Sequence, residues 1–164
     1  MILGLSMSVF TTLHVVLSLI GIAAGIVVVL GIVFDRHLPG LTAVFLTTTA
    51  LTSVTGFFFP AAGLMASHIV GIVSLAVLAL AVFAVYGHHL SGIWRPVYVV
   101  TAIMALYLNV FVGIVQAFQK LPALRAVAPT QSEPPFLAAQ LIALLGCLVA
   151  GGLALKRFHP QTRP

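Results

Sequence analysis

Two histidines stand where an otherwise apolar chain can do chemistry. His14 opens Leu13-His14-Val15-Val16-Leu17-Ser18-Leu19-Ile20-Gly21, and His68 opens the similarly patterned Ser67-His68-Ile69-Val70-Gly71-Ile72-Val73-Ser74-Leu75. A neutral imidazole carries one donor and one acceptor nitrogen. It can ligate a metal, hydrogen-bond a carbonyl or hydroxyl, or carry a proton. Ser18, Gly21 and Gly25 follow His14 at i+4, i+7 and i+11, one helical face. Gly71 follows His68 on the same face. Small residues there leave room beside the helix. Thr48, Thr52 and Thr55 share a face of the second apolar run, and Asn109 and Gln116 share a face of the fourth, with Gly113 between them. Gln140 lies about one turn into the last run. Polar groups inside lipid-embedded helices face the bundle interior or a cavity. His14, His68, Thr52, Asn109 and Gln116 are therefore the candidate ligand-binding residues of one site.

Other chemistries find no residues. Asp35 and Glu133 are the only acids, and both fall in loops. Paired carboxylates, a nucleophile with its base and an embedded ion-coupling acid are all excluded, so hydrolytic and acid–base enzymes are disfavoured. Cys147 is the single cysteine and lies mid-run, where it acts as a small apolar residue. Two histidines without a carboxylate or thiolate do not complete a zinc site. His88 and His89 are consecutive, so on a helix their rings diverge by about 100°.

These residues have to be held in lipid. The chain is 62% hydrophobic and 5% charged, with a mean hydropathy of +1.25. A water-soluble surface needs more charge than that. The sequence predicts a single all-α transmembrane domain of five spans: residues 10–34, 41–59, 64–86, 96–118 and 136–155. A loop over 119–135 and a tail over 156–164 complete it. The first run lacks a basic leader and is too long for a signal core, so it reads as a retained helix.

The turns His37-Leu38-Pro39-Gly40 and His89-Leu90-Ser91-Gly92 match, as do Gly56 with Gly113 and Thr52 with Asn109. This predicts a tandem duplication of a hairpin: repeat one over 10–59 and repeat two over 64–118, in parallel orientation, with a fifth helix outside it. Arg36, Arg95, Lys156, Arg157 and Arg163 fall on one side, and Lys120 and Arg125 on the other. The first side is expected to be cytoplasmic and the N-terminus outside. The net charge of +5 is thus a topology signal. The partner is the bilayer, with other membrane subunits or a second copy as further candidates, and no nucleic acid.

The arrangement resembles the four-helix membrane b-type cytochromes, in which histidines of two non-adjacent helices clamp a haem. The resemblance covers the first four spans and rests on His14 and His68. It implies haem b, axial imidazoles and electron transfer. The inner histidines, His37 and His89, lie in turns, so one haem is implied. The stretches Leu51-Thr52-Ser53-Val54-Thr55-Gly56-Phe57-Phe58-Phe59-Pro60, Ser67-His68-Ile69-Val70-Gly71 and Ala128-Pro129-Thr130-Gln131-Ser132-Glu133-Pro134-Pro135-Phe136 are also similar to small bacterial inner-membrane proteins of unassigned function. That similarity implies a compartment and no chemistry. The residues themselves allow three roles. One is a redox-associated protein holding haem b or a quinone near the outer surface. The others are a non-catalytic accessory subunit and a small-solute channel or carrier.

Overall fold

The computed structural model describes residues 2, 4–60 and 66–159, without the side chains of Ala66 and Ser67. Residues 61–63 between the second and third predicted spans, the start of the second repeat at Leu64 and the tail from 160, with Arg163, lie outside the described residues. The described chain is helical: α1 Met7–Val33, α2 Pro39–Gly56, α3 Ala66–Val82, α4 Trp94–Lys120, α5 Pro122–Val127 and α6 Pro134–Arg157. Lipid cannot hydrogen-bond a backbone, so even the Val- and Ile-rich runs become helices.

Four segments are long and apolar enough to cross a membrane: Met7–Val33, His68–Gly87, Trp94–Lys120 and Pro134–Arg157. That is the signature of a membrane-embedded chain. α2 is shorter, at 18 residues, and richer in threonine and serine. Its hydroxyls are satisfied locally. Thr48 donates to the Val44 carbonyl, Thr52 to Thr48 and Thr55 to Leu51, at 2.7, 2.8 and 2.7 Å.

Helix ends are set by identifiable chemistry. Ser6 caps α1, its hydroxyl accepting from the Val9 N–H at 3.3 Å. α1 stops in a left-handed turn at Asp35, with φ +57°. The Arg36 N–H then reaches back to the Gly31 carbonyl at 2.8 Å, and the Asp35 N–H to the Ile32 carbonyl at 3.1 Å. This pair of bonds is a Schellman motif. α2 begins with Pro39 at its first position, where no N–H is needed.

The second hairpin turns differently despite its similar sequence. α3 runs into a π-helical turn, Phe83–Gly87, and His89 and Leu90 themselves take left-handed φ values of +49° and +59°. Two consecutive non-glycine residues in that region are strained. Burial of Leu90 in the core and stacking of His88 on Trp94, centroids 4.3 Å apart, offset the strain.

α1 packs on α2 and α3 on α4. α1 also packs on α4 and α2 on α3, which closes a four-helix ring. α6 lies outside, against α4 and α1. The core runs along the ring's axis through Val28, Ile32, Phe45, Leu106, Ala102 and Tyr98. α5, inside the segment expected as a plain loop, leads to a turn closed by Glu133. That carboxylate accepts from the Thr130 hydroxyl and N–H and from the Ser132 N–H. Desolvation pushes the Glu133 carboxyl up, and these hydrogen bonds together push it further down, so it lies below its ordinary value.

The opposite end is locked by the chain's last described residues. Phe158 is fully buried, 6.2 Å from Tyr98 and 6.5 Å from His37 between ring centroids. Arg95 donates to the Phe158 carbonyl, and the His159 N–H donates to the Asp35 carboxylate at 2.6 Å. Burial holds the His37 imidazole below its ordinary value. Tyr98 is also bonded to Thr42 of α2, at 3.2 Å. One aromatic plug thus joins α6 to the ends of α1, α2 and α4. Phe158→Ala is expected to lower stability by about 3 kcal/mol, the cost of emptying a fully buried aromatic site. Equilibrium unfolding in mixed micelles measures it.

Candidate functional site

His14 sits on the second turn of α1, half-buried. Its Nδ1 is 2.8 Å from Thr55 Oγ1 of α2. The direction of that bond follows from the threonine. The Thr55 hydroxyl already donates to the Leu51 carbonyl at 2.7 Å and to the Thr52 carbonyl at 3.1 Å. Its one proton is committed to the backbone of its own helix, so it accepts from His14. The imidazole therefore carries its proton on Nδ1 and presents a lone pair at Nε2. This is the arrangement that prepares a histidine as a ligand or a proton acceptor.

Aromatic rings surround that nitrogen's helix end. Phe59 meets the His14 ring edge-on at 5.1 Å, and Phe10 meets Phe59 at 5.2 Å and Phe58 at 6.4 Å. His68, on the first turn of α3, stacks on Phe57 at 5.5 Å and 27°. The two predicted histidines thus flank the same end of α2, one against Thr55 and one against Phe57. Their shared level follows from α2, which ends between them. The phenylalanine wall is absent from the sequence-based site. The run Phe57-Phe58-Phe59 immediately after the threonine stripe is the signal that marks it.

One turn further in, the Ser18 hydroxyl donates to Asn109 Oδ1 of α4 at 3.0 Å. Asn109 is buried, and so is Thr49 of α2. Among the described residues, Asn109 Nδ2 and Thr49 Oγ1 are buried without a hydrogen-bond partner. Each such group costs about 1–3 kcal/mol. Both face Gly21. A Cβ there would lie 3.0 Å from each and 3.2 Å from Thr48 Oγ1. At Gly25 a Cβ would lie 2.7 Å from Phe45 and 2.9 Å from Leu106. The small face of α1 is thus filled by neighbouring helices, whereas the sequence suggested open room.

The remaining predicted residues do not join. Thr52 spends its hydroxyl on the Thr48 carbonyl, and Gln116 is exposed. Gln140 donates to the Phe111 carbonyl at 3.3 Å, which ties α6 to α4. A further link, Ser53 to Ser74 at 3.2 Å, ties α2 to α3. Among the described residues no three of His, Cys, Asp and Glu come together as a metal site.

No family model, no curated protein and no solved structure matches the chain. The geometry therefore carries the functional reading alone.

Gly21→Ala places a methyl against Asn109, Thr48 and Thr49. It is expected to destabilise the fold by about 1–3 kcal/mol, as overpacking does. Trimming the neighbour in Gly21→Ala/Asn109→Ala should recover part of that loss. Double-mutant unfolding in micelles tests the coupling.

Proposed function

We propose that the protein is a small redox-associated protein of the bacterial inner membrane that binds the head group of a lipophilic quinone or quinol at the His14 end of its bundle. One observation carries the reading: the Thr55 hydroxyl is already spent, so His14 offers a bare Nε2. A quinol hydroxyl donates to that nitrogen. The walls support the same ligand. Phe59 packs edge-on against His14, and Phe10 packs on Phe59 and Phe58, an apolar aromatic cluster beside the imidazole that suits an aromatic ring.

A haem b ligated by His14 and His68 is the second reading, and the same bare Nε2 favours it. The filled faces of Gly21 and Gly25 leave no slot for a macrocycle, so the smaller planar ligand fits better. A solute path is disfavoured by Phe45 and Leu106, which fill the axis between the Asn109 layer and the Thr42–Tyr98 layer. Electrons from a quinol need an acceptor, so the accessory role is compatible with this one. The exposed face of α6, with Ile142, Leu145 and Val149, is where a larger subunit would pack.

The same proposal takes α2 as a fifth span. Its Thr42 meets Tyr98 at one end of the bundle and its Thr55 meets His14 at the other. At 18 residues it is about 27 Å long. The pairing of α1 with α2 and α3 with α4 supports the duplicated hairpin. Arg36, Arg95, Lys156 and Arg157 share the Asp35 end, which supports a cytoplasmic C-terminus and an outer histidine site.

The test is binding of decylubiquinol to purified protein by calorimetry, with a visible spectrum of the same sample. His14→Phe keeps the ring and removes the acceptor. It is expected to weaken binding about tenfold, the value of one good hydrogen bond. Equal binding by wild type and variant, or none by either, contradicts the proposal. A Soret band lost in both His14→Ala and His68→Ala moves the reading to haem.

A further inference from the structure

We propose a second ligand site at the opposite end of α1: a groove that takes one acyl chain and the phosphate of an anionic phospholipid. Val27, Leu30, Gly31 and Phe34 of α1 line it, with Arg36 and Leu38 of the following turn, around a cavity of about 490 Å³. Five of these six side positions are apolar. Leu30 and Phe34 are half or more exposed, so the groove opens sideways toward lipid.

The turn places the charge where a headgroup lies. The Schellman motif folds the chain back over the last turn of α1, through the Arg36 N–H and the Gly31 carbonyl. Gly31 permits this approach. A Cβ there would lie 2.8 Å from Leu38 and 3.2 Å from the Arg36 carbonyl oxygen. Arg36 therefore lines the apolar slot from the turn that follows the last turn of α1.

Among the described residues its charge meets no carboxylate. The chain's two acids are Asp35 and Glu133. Asp35 accepts the His159 N–H, and Glu133 is folded around Thr130 and Ser132. Among the described residues neither pairs with Arg36. A lipid phosphate supplies the missing anion, and guanidinium–phosphate pairing is geometrically specific. A zwitterionic lipid carries its own cation beside the phosphate, so an anionic headgroup is preferred. The groove supplies the apolar partner for the chain below it, which a free phosphate lacks.

Native mass spectrometry of the detergent-purified chain tests this, with phosphatidylglycerol and phosphatidylcholine of identical acyl chains. Phosphatidylglycerol is expected to be retained about fivefold more, the effect of one basic group at a lipid surface. Arg36→Gln should remove that preference. Arg157→Gln, at the same end but outside the groove, should keep it. Leu30→Trp, which fills the slot, should reduce retention of both lipids. An unchanged preference in Arg36→Gln, an equal loss in Arg157→Gln, or displacement of the lipid by inorganic phosphate would overturn the proposal.

Discussion

A single hydrogen bond, from His14 Nδ1 to Thr55 Oγ1, sets the register of α1 against α2 and the chemistry of the end where they meet. It works because the threonine hydroxyl is already committed to its own helix. Lipid tails do not select which helices pack together, since an apolar face is as well solvated by lipid as by another helix. Selection then falls to close approach and to polar links. Each is worth about 1–2 kcal/mol at most. His14–Thr55 joins α1 to α2 and Ser18–Asn109 joins α1 to α4. Ser53–Ser74 joins α2 to α3, Thr42–Tyr98 joins α2 to α4, and Gln140 joins α6 to α4.

The two ends of the bundle use the same materials for different purposes. At the Asp35 end, Tyr98, His37 and Phe158 close the ring and anchor α6, and the hydrogen bonds there are structural. Toward the histidine end, among the described residues, Asn109 Nδ2, Thr49 Oγ1 and Gln140 Oε1 are buried without a hydrogen-bond partner, and each costs stability. Natural cores leave few such groups, and those they leave are concentrated at sites that do something. That asymmetry supports the proposed site at His14 and the anchoring role of Phe158.

Much of this was legible in the residues themselves. The apolar runs, the helical periodicity and the loop chemistry of Pro39 and Pro134 place the long helices within a few residues. His14 and His68 do lie at one end of α2, as their matching positions implied. Three things were not legible. The Gly21–Gly25 face signals proximity to something, and periodicity cannot say whether a ligand or a neighbouring helix supplies it; Thr49, Asn109 and Phe45 do. The threonines of α2 have one face by spacing, yet Thr52 turns its hydroxyl to the Thr48 carbonyl and Thr55 alone meets a histidine. The matched turns at His37 and His89 fold differently, because the left-handed residue is Asp35 in one and His89 with Leu90 in the other. Local sequence similarity does not encode which residue of a turn absorbs the reversal.

The proposed site depends on where one proton sits. If Thr55 accepts from His14, the imidazole is protonated at Nδ1 and bare at Nε2, ready for a donor or a metal. Solid-state ¹⁵N NMR of histidine-labelled protein in bilayers reads this directly, with the His14 signals assigned by their loss in His14→Gln. The structure predicts a protonated Nδ1 and an unprotonated Nε2, with the distinction lost in Thr55→Val. A His14 protonated at Nε2 would contradict it, because that nitrogen would then be a donor and the site would lose its acceptor.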